Sequence, residues 1–208
     1  MNYVENGASE AVFKCSDTKK NIFLIGDSIR KGYCAHTKEA LKDKAEVFYF
    51  EDNCRSSQYI IFSLKKWAGM FDDRSKIDIV QFNCGQWDTA HWNGYEYSLT
   101  SESEYEKNIR MIIFLIKKFF PNAIVVFATT SPMNPEEPAC LNPRSNAEVT
   151  RYNEIALEVA NECNIPVIDV NAFMRDWGSA NFKDVCHLTD EAYEKLGIFI
   201  ASQLEKII

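Results

Sequence analysis

From residue 21 onward, short continuous apolar runs alternate with longer stretches in which apolar residues recur every three or four positions. The first run, Asn21-Ile22-Phe23-Leu24-Ile25-Gly26, is apolar throughout its middle and ends in glycine, the pattern of a strand buried on both faces. A helix is expected over 29–44, a second strand over 45–50, a polar turn over 51–57 and a helix over 58–70. In that helix Ile60, Ile61, Leu64 and Trp67 fall at helical spacing.

A third strand is expected over 77–82 and the longest helix over 102–120, where Pro121-Asn122 is a stop signal. A fourth strand follows over 123–128. Pro132, Pro135, Pro138 and Pro143 then make the next segment a loop, because proline lacks the N–H that regular structure needs. The pattern closes with a helix over 147–163, a strand over 166–170 and a helix over 190–207. Residues 1–20 carry no such pattern and are expected to be an irregular segment.

Strands alternating with helices predict an α/β chain: one three-layer α/β/α domain with a five-stranded parallel sheet, spanning 1–208. Ligands of such sheets bind beyond the carboxyl ends of the strands. The segments that matter are therefore Asp27-Ser28, the turn over 51–57, the loop over 83–88, Thr129 to Pro132, and the stretch 184–187 before the last helix.

Composition narrows the function classes. With 46% apolar residues in 208, the chain can build a full core without metal or disulfide. Its seven cysteines are odd in number and contain no C-x-x-C pair, so reduced, mostly buried thiols are expected and a zinc site is not. A net charge of -7 argues against nucleic acid as a partner. No apolar stretch is long enough to span a membrane, and the first residues lack the pattern of a signal peptide. The expected location is cytoplasmic, with no cofactor; the oligomeric state is left open.

Three histidines are available as bases: His36, His91 and His187. His36 falls within the first helix. His91 lies in the aromatic segment Thr89-Ala90-His91-Trp92-Asn93-Gly94-Tyr95. His187 sits on a short loop pinned by the helix start at Thr189, a good N-cap. Asp184, three residues earlier, is placed to accept a bond from the imidazole nitrogen facing away from Ser28. A serine with a neutral imidazole in reach and a carboxylate behind it has the components of an activated nucleophile. The bland alternatives are a helix-capping turn at Gly26-Asp27-Ser28 and a solvated loop pair at Asp184 and His187. Placement on one rim favours the chemical reading.

With these residues in hand, the sequence resembles the SGNH (GDSL-type) hydrolases. Gly26-Asp27-Ser28 matches the first block, with Ile29 where leucine is usual, and Asp184 with His187 matches the closing D-x-x-H. The resemblance implies a flavodoxin-like sheet, Ser28 as nucleophile, His187 as base and Asp184 as its orienting partner. The third block, usually G-x-N-D, reads Gly85-Gln86-Trp87-Asp88, so Trp87 stands where the oxyanion-binding asparagine is usual. The second block, usually the source of a glycine N–H, maps to Asn53-Cys54-Arg55-Ser56-Ser57, with Ser57 as the assigned donor. Ser28 and Ser57 would then offer backbone N–H groups, and Asn53 or Asn83 would replace the lost amide. Loss of one oxyanion donor costs about 100- to 1,000-fold in rate.

The resulting expectation is a serine esterase acting on a small-molecule or carbohydrate ester, with an O-acetyl group preferred. The alternative is a non-catalytic binding module on the same scaffold. A flavin or nucleotide binder is disfavoured, since neither G-x-G-x-x-G nor G-x-x-x-x-G-K-[ST] occurs. Trp87, Trp92 and Tyr95 are expected to pack their loop, Asp88 to brace it, Arg55 to pair with Glu51 or Asp52, and Arg144 and Arg151 to be structural.

Overall fold

The computed structural model describes residues 12–136 and 139–208, so most of the expected irregular segment and Pro138 lie outside the described residues. Five parallel strands, β1 (Lys20–Ile25), β2 (Ala45–Tyr49), β3 (Ile79–Phe82), β4 (Ile124–Ala128) and β5 (Val167–Ile168), form one sheet in the order β2-β1-β3-β4-β5. Residues 12–19 form no helix or named strand; Phe13 makes only an isolated bridge to Phe71.

Alternation along each strand divides the apolar residues between the two faces. Phe23, Ile25, Val80, Phe82, Val125 and Phe127 pack under α2 (Ser57–Ala68), α3 (Glu102–Phe119) and α4 (Asn146–Glu162). Ile22, Leu24, Val47, Ile79, Val126 and Ala128 face α1 (Ser28–Leu41), α5 (Val170–Met174) and α6 (Asp190–Leu204). Because both faces are covered, the strands read as largely apolar runs, interrupted by buried Asn21 in β1 and Gln81 in β3.

Local chemistry sets the helix starts. Asp27 caps α1 by accepting from Ile29 N–H, and Thr189 caps α6 by accepting from Ala192 N–H. Ser101 with Glu104, and Ser145 with Glu148, form reciprocal capping boxes at α3 and α4. The expected fifth strand is cut to two residues because the Asp169 side chain accepts from Ala172 N–H and opens α5 at Val170. All seven cysteines are free, and Cys15, Cys34, Cys54, Cys84 and Cys186 are buried. No helix among the described residues is long and apolar enough to cross a membrane.

The α1–α6 contact depends on missing side chains. A Cβ at Gly197 would come within 2.5 Å of His36 Cβ and 2.9 Å of the Tyr33 carbonyl. The overlap is with a neighbouring helix, so the helices must separate to relieve it. Gly197→Ala is expected to lower stability by about 1–3 kcal/mol, whereas Gly178→Ala, where a Cβ meets nothing within 4 Å, should leave it nearly unchanged. Thermal unfolding of the two variants tests this ordering.

Candidate active site

The sheet order reverses direction at β1, which has β2 on one side and β3 on the other. A crevice opens at such a switch point at the carboxyl edge, and Ser28, the first residue of α1, lies just beyond β1. Three loops meet there. Gly26 carbonyl accepts from Cys54 N–H (3.1 Å), tying the turn after β2 to the turn after β1. The fully buried Arg30 donates to the same carbonyl through Nη2 (3.2 Å), and to the carbonyls of Phe50 and Asp52 (2.5 Å each). A Cβ at Gly26 would fall 1.9 Å from Asn83 Oδ1, so only glycine lets the loop after β3 pack against this turn.

On the opposite side, the chain from Phe182 to Leu188 closes as a small antiparallel bridge. Asp184 Oδ1 accepts from Cys186 N–H (2.9 Å) and His187 N–H (2.8 Å), so its carboxylate is held by its own loop. Its other oxygen lies 2.7 Å from His187 Nδ1, and His187 Nε2 lies 2.8 Å from Ser28 Oγ. With the imidazole proton on Nδ1, facing the carboxylate, Nε2 is left to accept from the Ser28 hydroxyl. Burial alone would raise the Asp184 carboxyl, but the two N–H bonds and the imidazole outweigh it and hold it below the usual range. Asn134 anchors the loop after β4 to the same segment, donating through its N–H to Val185 O (2.9 Å) and through Nδ2 to Asp184 O (3.2 Å).

The other two histidines are engaged elsewhere. His36 packs on the α1–α6 contact. His91 uses Nδ1 on Tyr95 O (2.9 Å) and Nε2 on Glu148 (2.6 Å), and that carboxylate raises its pKa. His91 thus fastens the aromatic loop to α4. Arg144, which donates to the Gln86 carbonyl, fastens the loop after β3 to the same region.

The structure departs from the expected oxyanion arrangement. Ser57 does not offer its N–H to the rim: it donates to both oxygens of Asp88 (3.1 Å each), and its hydroxyl donates to Asp88 Oδ1 (2.5 Å). Asn53 is a turn residue whose Oδ1 accepts from Arg55 N–H (2.9 Å). Asn83 is buried against Gly26, and its Oδ1, like Asp27 Oδ2, has no hydrogen-bond partner among the described residues. Trp87 stacks on Trp92, centroids 5.1 Å apart. Gly85 has φ 141°, and a Cβ there would lie 2.1 Å from Thr130 Oγ1, so this position in the loop requires glycine. Neither Ser28 N–H nor Ser56 N–H has an acceptor among the described residues; both lie at helix starts, where such groups are normally unpaired. The second block places the donor at Ser57, whereas Ser56, the N-cap of α2, is the one with an unpaired N–H. The adjacent pair of serines was the available signal.

Arg55 also departs from expectation. Its guanidinium lies 4.6 Å over the Tyr59 ring and pairs with neither Glu51 nor Asp52, while Tyr59 hydroxyl donates to Asp52 Oδ2 (2.6 Å). Asp184, Cys186 and His187 bring three donor atoms within 4.8 Å of one another. They do not suit a cation, because the first and last are bonded to each other and burial pushes the Cys186 thiol up to about 12.

The profile of the GDSL-like Lipase/Acylhydrolase family matches residues 24–195. Solved structures share the fold. A lipase/acylhydrolase from Enterococcus faecalis superposes with a TM-score of 0.72 at 20% identity, covering 90% of this chain and 96% of its own. An acetyl xylan esterase gives 0.69 at 20% identity over 88% and 99%. A carbohydrate acetylesterase from Sinorhizobium meliloti gives 0.70 at 15% identity over 91% and 100%. No curated protein matches the sequence significantly.

Two buried acids support this rim. Asp88 takes four hydrogen bonds, from Ser57 N–H to both oxygens, from Ser57 Oγ and from Thr100 Oγ1 (2.9 Å). Burial nevertheless pushes its pKa from 3.8 up to about 6. Burial likewise raises Asp27, against the bond from Ile29, the Asn83 side chain and the charges of Arg30 and Arg144. The folded state therefore keeps these protons at pH values where the unfolded chain releases them. The Asp88 contribution to stability is fully present below the unfolded value of 3.8 and is lost as pH rises through about 6, and that of Asp27 changes in the same direction. Asp88→Asn is expected to flatten that part of the stability–pH curve. At pH 7 it should also lower stability by about 1–3 kcal/mol, because an amide cannot accept all four bonds. Urea unfolding from pH 4 to 8 measures both effects.

Proposed function

Since the chain belongs to the GDSL-like lipase/acylhydrolase family and is a carboxylic ester hydrolase, we propose that Ser28 cleaves its ester as a nucleophile, with His187 as base and Asp184 as the group that orients it. The observation that carries this reading is the unbroken chain from Ser28 Oγ to His187 Nε2 (2.8 Å) and from Nδ1 to Asp184 (2.7 Å).

The sequence of steps follows from that geometry. His187 Nε2 takes the hydroxyl proton as Ser28 Oγ attacks the carbonyl carbon, and Asp184 stabilises the imidazolium so formed. Negative charge on the carbonyl oxygen is received by Ser28 N–H and Ser56 N–H at the positive end of α1 and the start of α2. When the tetrahedral adduct collapses, His187 returns the proton to the departing alcohol. Water then attacks the acyl-serine with His187 again as base, releasing the acid.

The preferred substrate is an O-acetyl ester of a carbohydrate or small metabolite. The exposed rings of Trp92, Tyr95 and Tyr97 near the rim favour a sugar, as does the structural likeness to an acetyl xylan esterase and a carbohydrate acetylesterase. Trp87 in place of the usual asparagine limits the rate without removing the nucleophile.

Ser28→Ala and His187→Ala are each expected to lower kcat on p-nitrophenyl acetate by at least about 1,000-fold with the fold intact. Equal turnover by wild type and Ser28→Ala would contradict the mechanism, as would an inactive wild type, the outcome expected of a binding module.

A further inference from the structure

On the loops beyond the carboxyl ends of the strands lies a groove of about 220 Å³ lined by Arg55, Ser56, Tyr59, Trp87, Trp92 and Leu99. Its walls come from the loops after β2 and β3, the two strands flanking β1. Ser56, whose N–H is free for the oxyanion, forms part of the wall. A group attached to the reacting carbonyl therefore has this groove as its neighbour. A cavity of about 150 Å³ holds a benzene molecule, so the space is on the scale of one sugar ring.

The lining has two chemical elements. One is aromatic: Trp87 and Trp92 stack with an interplanar angle of 27°, and Trp92 is 41% exposed. Flat indole surface of this kind packs against the C–H face of a pyranose. The other is a cation without a carboxylate. Arg55 is exposed and holds a left-handed backbone, φ 48°, supported by its N–H bond to Asn53 Oδ1. Its side chain lies over Tyr59, and that ring is held by its bond to Asp52. Asp52 is thereby occupied, and no carboxylate among the described residues forms an ion pair with Arg55. An exposed guanidinium lying over the Tyr59 ring with no ion-pair partner among the described residues is available to a carboxylate in bidentate geometry.

We propose that this groove seats the alcohol half of the ester, and that this half is a sugar ring carrying a carboxylate, as in a uronic acid. Its C–H face rests on the Trp87–Trp92 pair and its carboxylate meets Arg55. The assignment deepens the serine-esterase reading and rests on it for the hydrolytic step, whereas recognition of the ring is a property of the groove alone.

The test compares O-acetylated methyl galacturonoside with O-acetylated methyl galactoside on the full chain, with p-nitrophenyl acetate as a substrate lacking a sugar. The acidic sugar is expected to have about tenfold higher kcat/KM, with the difference in KM. Arg55→Gln should abolish that preference by lowering kcat/KM for the acidic sugar ester to that of the neutral one. Added salt should shrink the preference in wild type. Trp92→Ala should raise KM for both sugars. Equal kcat/KM for the two sugars, or a preference that survives Arg55→Gln, would overturn the proposal. Quenching of tryptophan fluorescence by unacetylated methyl galacturonoside, stronger than by methyl galactoside and lost in Arg55→Gln, separates the two readings. That result without any ester turnover would keep the groove assignment and sink the hydrolytic one; its absence in an active enzyme would do the reverse.

Discussion

The carboxyl edge of the sheet is organised around the Gly26 peptide. Its carbonyl is the common acceptor for Cys54 N–H and the Arg30 guanidinium, and its Cα is the surface against which Asn83 packs. Three loops from three neighbouring strands are fixed by this one unit, which carries no side chain. Ser28 follows two residues later, at the start of a helix whose dipole faces the crevice. The position of the serine is thus set by backbone hydrogen bonds and close packing, not by His187 and Asp184. Those residues need only be brought to it, and the hairpin-like loop of Asp184 and His187 does so from the far edge.

Charge is handled differently on the two sides of this crevice. Asp184 is half exposed and is kept ionised by N–H donors from its own loop and by the imidazole. Asp27 and Asp88 are fully buried, and burial favours their protonated forms. The first arrangement suits the role proposed for Asp184, which is to stabilise a transient imidazolium. The second suits groups that join loops, where hydrogen bonds matter more than net charge. Asp88, for instance, joins the loop after β3 to the start of α2 and to Thr100.

Much of this was legible in the sequence because its causes are local or periodic. Apolar runs ending in Gly26 or Asn83-Cys84-Gly85 mark strands and the rim beyond them, and Thr189 marks the last helix and so the loop carrying His187. The joint placement of Ser28, Asp184 and His187 followed from topology, since a parallel sheet with right-handed crossovers puts all these loops on one edge. The sequence reading failed where one residue of register or one competing partner decides the outcome. Ser57 was assigned as a donor, but Asp88 claims its N–H and leaves Ser56 free. Arg55 has two acidic residues within four positions, yet a left-handed backbone turns it onto Tyr59. Asp169 ends β5 early because its carboxylate is a better cap than the preceding apolar residues are a strand. None of these outcomes can be read from hydrophobic periodicity, because each depends on which of several nearby acceptors a single group meets.

The central claim is that Ser28 is made nucleophilic by His187, and covalent labelling tests it most directly. A fluorophosphonate probe followed by peptide mapping should give one adduct, on Ser28, absent in Ser28→Ala and strongly slowed in His187→Ala. An unlabelled wild-type chain, or an adduct on another residue with Ser28 unmodified, would contradict the account.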